Sequence, residues 1–242
     1  MKKVLFTVLA VLLLTGSANA YFDGFETPGT FSPSTGVDRT NERSYEGDWS
    51  GKLSLADTDG FGRFLWETSG SSLSEMSGSF KAYIDGDQTN LIPYMYFGVD
   101  ANKDGVFDYS NNDSFVITWV SGGDSFSPNS WLSVFTDSTT DVHVVGNRQG
   151  LGDTYSAFNS PEIDTLGSLT SLSFDTGSTW GDLEVLQVRI GTGNWPSDGT
   201  VPYTAFIDNV EFTSAAVPVP AAVWLLGSGL VGLFGYRKRM KS

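Results

Sequence analysis

The chain has 242 residues, with 14 Lys and Arg against 28 Asp and Glu, a formal net charge of −14, and no cysteine. That balance repels polyanions and excludes the phosphate-backbone contacts on which nucleic-acid binding depends. The lack of cysteine excludes disulfides, thiol catalysis and zinc-thiolate sites, so stability has to come from a packed core, with bound calcium as the one evident supplement.

The chain opens with Met1-Lys2-Lys3, an apolar run to Leu14 and the small residues Gly16-Ser17-Ala18-Asn19-Ala20, the three parts of a secretory signal peptide. The run is too short to span a bilayer and ends in an Ala-x-Ala site, so residues 1–20 are read as a signal peptide cleaved after Ala20. Residues 21–216 form the working domain, and their length fits one all-β unit. All 28 acidic residues fall there against eight of the 14 basic ones, so the domain carries a net charge of −20.

Short runs of β-branched and aromatic residues, punctuated by Gly, Asp, Asn and Ser, predict strands. They fall at 21–26, 52–56, 63–67, 79–84, 93–99, 115–120, 131–135, 142–145, 169–174, 183–190 and 205–212. The only helical turn expected is 161–166, and no internal repeat occurs. Strands this short and evenly spaced predict an all-β, antiparallel β-sandwich of jelly-roll-like type.

Within this series, Tyr94 and Tyr96 alternate with Met95 and Phe97, and Trp131 and Phe135 alternate with Leu132 and Val134. One set enters the core and the other faces outward. Sugars present apolar C–H faces and hydroxyls, so Tyr94, Tyr96 and Trp131 are the predicted glycan platform, with core packing as the other use of such rings. Residues 100–108 then read Asp-Ala-Asn-Lys-Asp-Gly-Val-Phe-Asp. Oxygen ligands at alternate positions, with Gly105 letting the chain turn back, suit Ca²⁺; the expected set is Asp100, Asn102, Asp104, the carbonyl of Val106, and Asp108. The twelfth position of this loop is Asn111 and its flanks read as strands, so it resembles the calcium loops between strands of secreted β proteins rather than an EF-hand. A plain polar hairpin turn is the alternative.

Catalytic signals are sparse. His143 is the only histidine and alternation puts it on the solvent side of its strand; no Gly-x-Ser-x-Gly and no phosphate-cradling loop is present. Glu162 and Asp164 resemble the opening of the Glu-x-Asp-x-x-Glu strand of laminarinase-like sandwich hydrolases, but Gly167 stands where the second glutamate belongs and Pro161 precedes the first. The chain is therefore read as non-enzymatic.

Residues 22–26, 45–53 and 205–212 resemble matching parts of jelly-roll carbohydrate-binding modules. The resemblance implies that Glu26 and Asp208, an early and a late acid, help hold a structural calcium ion. The C-terminal stretch carries a second resemblance. Pro218-Val219-Pro220 is followed by eighteen uncharged positions from Val219 to Tyr236, then by Arg237, Lys238, Arg239 and Lys241. At about 1.5 Å per residue that run spans about 27 Å as a helix, close to the hydrocarbon thickness. The basic cluster is expected on the cytoplasmic side. The segment 217–239, with its Trp-Leu-Leu-Gly-Ser-Gly-Leu core, resembles the PEP-CTERM sorting signal of Gram-negative bacteria, with Val219 in place of that family's central glutamate. The resemblance implies a transmembrane helix, processing by an exosortase, and delivery to the cell surface or an extracellular matrix rich in exopolysaccharide. Together these readings predict an exported surface or matrix protein with calcium-supported polysaccharide binding. A sandwich glycoside hydrolase and a purely structural matrix component are the alternatives.

Overall fold

The computed structural model describes residues 19–34, 36–55, 61–86, 93–119, 127–151, 165–193 and 203–214. Their strands run in chain order as β1 Asn19–Asp23, β2 Ser32–Pro33, β3 Val37–Thr40, β4 Ser50–Leu55, β5 Phe61–Ser72, β6 Gly78–Asp85 and β7 Tyr94–Val99. They continue as β8 Ser114–Trp119, β9 Trp131–Thr136, β10 Asp141–Gly146, β11 Ser173–Asp175, β12 Ser178–Thr179, β13 Glu184–Gly193 and β14 Tyr203–Ser214, with one helix, α1, at Leu166–Ser171. One sheet has the order β3-β4-β14-β6-β9, with β1 also pairing β14; the other has the order β10-β8-β7-β13-β5-β2. A two-stranded β11–β12 ribbon stands apart from both. All strand pairs are antiparallel.

Period-two alternation builds the core between the two sheets. On the first sheet Leu53, Phe80, Ala82, Ile84, Ala205 and Ile207 are buried; on the second Phe64, Met95, Phe97, Val116, Val188 and Ile190 meet them in one cluster. Each large apolar side chain so enclosed contributes about 1.5–3 kcal/mol. The described residues all fall within one compact unit, Ala18–Ala215. The all-β antiparallel sandwich expected from the sequence is therefore present.

One local expectation is corrected. Residues 169–174 are not a strand: α1 covers Leu166–Ser171, and only Ser173–Asp175 is extended. The Thr165 hydroxyl caps the helix by accepting from the Ser168 amide at 3.2 Å, and Leu166 and Leu169, one helical turn apart, are both buried. The short strands β2, β3 and β12 escaped the sequence pattern, being two to four residues long. His143 faces away from buried Val142 and Val144 as expected and is half-buried, which pushes its imidazole below the usual pKa.

Residues 1–18 and 215–242 lie outside the described residues, and with them most of the expected signal peptide and the whole sorting segment, Pro218, Val219, Pro220, Arg237, Lys238 and Arg239 included. Strand β1 begins at Asn19, so cleavage after Ala20 would leave Tyr21, Phe22 and Asp23 paired with Phe212, Glu211 and Val210. Among the described residues no helix is long and apolar enough to cross a membrane.

Candidate functional site

With Phe64, Trp66, Met95, Phe97, Val188 and Ile190 turned into the core, alternation sets Arg63, Leu65, Tyr94, Tyr96, Gln187 and Arg189 on the outer face of the second sheet. Register aligns them in rows across β13: Arg189 lies between Tyr96 and Leu65, and Gly191 between Tyr94 and Arg63. The Tyr94 and Tyr96 rings are 5.6 Å apart, and Tyr96 is 5.5 Å from Phe115 on β8. Phe107 from the 100–113 loop folds back to 4.8 Å from Phe115, resting over Gly98, where a Cβ would stand 2.9 Å from its ring. The absence of a side chain at Gly98 is what lets the loop reach this face.

Arg189 is only 6 % exposed. Its guanidinium lies 4.5 Å from the Phe115 ring centroid and 5.3 Å from that of Phe107, and both Nε and Nη2 donate to the Gln187 amide oxygen. The Arg189 and Arg63 charges both act on the Tyr96 phenol and oppose the effect of its burial. Burial pushes the phenols of Tyr94 and Tyr96 above their ordinary value, so both remain neutral hydroxyl groups beside the cations. The face combines flat rings, an amide and guanidinium groups, the chemistry that carbohydrate recognition uses, but Tyr96, 9 % exposed, is buried beside Arg189, and Tyr94 is the half-buried ring of the pair.

Trp131 does not join this platform. It stands on β9, on the outer face of the other sheet, 5.6 Å from Tyr45 and 5.7 Å from Tyr83. Lys81 Nζ lies 4.6 Å from the Tyr45 ring, and the Arg43 guanidinium covers Tyr83 at 3.9 Å. Of the three predicted platform residues the fold brings together Tyr94 and Tyr96 only. Arg63, Phe107, Phe115, Gln187 and Arg189 were not singled out from sequence, although alternation around Val188 and Ile190 carried the signal for Gln187 and Arg189.

The 100–108 loop is organised by its acids. Asp100, buried, accepts from the amides of Asp104 at 3.1 Å and Gly105 at 2.8 Å. Asn102 accepts from Asp104 at 2.9 Å, Asp104 from Val106 at 2.9 Å and Asp108 from Ser110 at 2.9 Å. A sixth residue, Asp113, is fully buried beneath the loop and accepts from the amides of Ala101, Asn102 and Asp108 at 2.9, 3.2 and 2.7 Å. Burial, with the Asp100 charge added, pushes its carboxyl above the usual range. Among the described residues no three Asp, Glu or His side chains converge on one metal position. A calcium ion in this loop would therefore depend on Asn102 and the Val106 carbonyl as well as the carboxylates.

Glu26 and Asp208 are brought to one segment by the pairing of β1 with β14. Asp208 is fully buried and accepts from the amides of Tyr45 at 2.8 Å, Glu46 at 3.1 Å and Asn209 at 2.7 Å. Glu26 accepts from Asp48 at 2.9 Å and Trp49 at 3.1 Å. The two acids grip residues 45–49 from either end; burial pushes the Asp208 carboxyl up and the Glu26 charge adds to the effect. Glu162 and Asp164, the pair expected for a hydrolase, lie outside the described residues.

No protein-family model matches the chain, and no curated protein matches its sequence. Among solved structures, a carbohydrate-binding module of the β-sandwich superfamily is 11% identical over 82% of this chain and 61% of its own, with a TM-score of 0.39. A tandem carbohydrate-binding domain from Paenibacillus barcinonensis is 11% identical over 81% of this chain and 50% of its own, with a TM-score of 0.48. A cellulose-induced protein is 10% identical over 79% of this chain and 96% of its own, with a TM-score of 0.46. This chain thus spans about three fifths of the first structure and half of the second. At these identities and TM-scores the likenesses carry no functional argument, which rests on the chain's own residues.

Proposed function

We propose that this is an exported, non-enzymatic glycan-binding protein of the cell surface or extracellular matrix, with Tyr94 and Tyr96 as its platform. The observation that carries the reading is the outer face of the second sheet, where Tyr94, Tyr96 and Phe115 stand beside Arg63, Gln187 and Arg189. Tyr94, the half-buried ring, offers a sugar its stacking surface and the polar groups beside it give orientation. The test is retention of the full-length chain on a polysaccharide array with calcium present. Retention on at least one class is expected, and Tyr94→Ala should weaken it several-fold, in line with about 0.5–1.5 kcal/mol for a ring contact. No retention on any polysaccharide would sink the reading and leave a structural matrix component.

Calcium enters this proposal as a structural support, held by Asp100, Asn102, Asp104, the Val106 carbonyl and Asp108, or by Glu26 and Asp208. The first set is supported by its spacing and by the return of Phe107 to the ring cluster; the second by the shared grip of both acids on residues 45–49. Delivery follows from the two ends of the sequence, a signal peptide at 1–20 and a sorting segment at 217–239 that an exosortase would process. Mass spectrometry of the mature protein from cells with and without the exosortase tests this, and an unchanged C-terminus in both would reject it.

A further inference from the structure

Among the described residues the two sheets end at β3 and β9 and at β10 and β2. An edge strand offers its backbone N–H and C=O groups to another chain, and proteins blunt such edges with charge or proline. β3 carries Asp38 and Arg39, β10 carries Asp141 and His143, and β2 contains Pro33. β9 reads Trp-Leu-Ser-Val-Phe-Thr, with no charge and no proline. Its side chains are also open to solvent. Phe135 is 65 % exposed, more than any other large hydrophobic side chain among the described residues, and Ser133 is exposed beside it. Leu132 points inward with buried Val134 and Thr136, yet is only half-buried, so the core itself is uncovered along this edge.

We propose that β9 is an interface for a second copy of this chain, the two β9 strands pairing antiparallel about a two-fold axis at Ser133. The register follows from self-complementarity. Residues directly opposite in an antiparallel pair share a face, so only registers that match odd with odd positions keep Leu132 and Val134 on the core side of both copies. Centring the pair on Ser133 sets Phe135 opposite Trp131 of the second copy, Leu132 opposite Val134, and the two Ser133 hydroxyls against each other. Aromatic pairs and paired hydroxyls are the cross-strand contacts that stabilise sheets, and a two-fold axis forms each of the unlike pairs twice. Moving the centre to Val134 would instead set the Asp137 carboxylate against Trp131. Charge agrees with the choice of strand. Residues 21–216 carry a net charge of −20, which sets two copies against each other, and β9 is the edge to which neither brings a charge. Lys81, bonded to the Ser133 hydroxyl at 2.6 Å, stands three strand spacings or about 14 Å from its counterpart, beyond the screening length of about 8 Å. The contact lies on the edge of the first sheet and leaves the ring-bearing face of the second free.

The chain has no cysteine, so one introduced thiol reports the axis. In the full-length chain Ser133→Cys should oxidise to a covalent dimer, because opposed Cβ atoms stand about 4.5–5.5 Å apart, near the span of a disulfide. Phe135→Cys alone should cross-link at least about tenfold more slowly, its thiols lying four residues out of register, and should form a mixed disulfide with Trp131→Cys. Sedimentation of the wild type should show a concentration-dependent dimer that Phe135→Asp reduces to monomer, with the sheet content of the variant checked by circular dichroism. A wild type that stays monomeric at every concentration would overturn the interface. So would a dimer that survives Phe135→Asp, as association through residues 219–236 would. Cross-linking of Phe135→Cys as fast as that of Ser133→Cys would overturn the register.

Discussion

Asp23 serves two buried neighbours at once. Its carboxylate accepts from the Trp66 indole at 3.0 Å and from the Phe25 amide at 2.7 Å, and it is itself 4 % exposed. The second bond holds Phe25 at φ 60, a left-handed conformation that costs a bulky residue on the order of 1–3 kcal/mol. The offset is the burial of the Phe25 ring among Phe31, Phe64 and Trp66, with centroids 5.1, 5.2 and 6.3 Å away. Trp66→Phe, which strips one charge-assisted donor from a buried acceptor, should destabilise the fold by about 2 kcal/mol in urea unfolding. Asp23→Ala should cost more, because it also releases the turn at Phe25. Tyr21 packs beside this acid, and burial together with the Asp23 charge pushes its phenol up to about 12 from 10.0. The folded state keeps that proton after the unfolded chain has lost it, so the stability contributed by Tyr21 is complete below pH 10 and is lost between about 10 and 12. Tyr94 and Tyr96 shift in the same direction. The thermal midpoint should therefore fall steeply above pH 10, and Tyr21→Phe should flatten the first part of that fall.

At the scale of elements, the 100–113 loop and α1 illustrate two ways in which side chains close a backbone. In α1 the Thr165 cap satisfies one of the amides at the helix start, and Thr165→Ala should cost about 1 kcal/mol. In the loop, Asp100 and Asp113 are buried and internally bonded, whereas Asp104 is exposed. Asp104→Ala should hence change apo stability little and is the sharper probe of calcium. A ligand that binds only the folded state raises the midpoint with its concentration. Calcium should raise the wild-type midpoint, and Asp104→Ala should abolish the rise. A rise that persists in the variant would move the ion to Glu26 and Asp208, and the lack of any rise in the wild type would remove calcium from the proposal. The return of Phe107 to Gly98 links this loop to the ring-bearing face, so loss of an ion from the loop should also weaken glycan retention.

For the molecule as a whole, the sandwich presents two outer faces of different character. One carries Tyr94, Tyr96, Arg63 and Arg189; the other carries Trp131 and Tyr83, where residues 43 and 45 from the 41–49 segment pack over the rings. Trp131→Ala should leave glycan binding unchanged and lower stability, whereas Tyr94→Ala should weaken binding. The reverse result would place the ligand on the opposite face.

Local pattern in the sequence determined most strands and the inward or outward sense of Tyr94 and Tyr96, because a period of two is written into consecutive residues. It also put Asp208 in the last strand, whereas Glu26, expected at the end of the first, lies three residues beyond β1, which stops at Asp23. It misread 169–174, since leucines at 166, 169 and 172 fit a short buried helix as well as a strand, and the choice fell to the Thr165 cap and to packing. Which sheet a strand joins is decided by long-range pairing and core complementarity, and this put Trp131 on the far side from Tyr94. The same pairing of β13 with β5 and β7 brought Arg63 and Arg189, distant along the chain, onto one face beside Tyr96. Alternation states only that a residue points out; what it meets there is set by neighbouring strands, and that was decided by the tertiary structure alone.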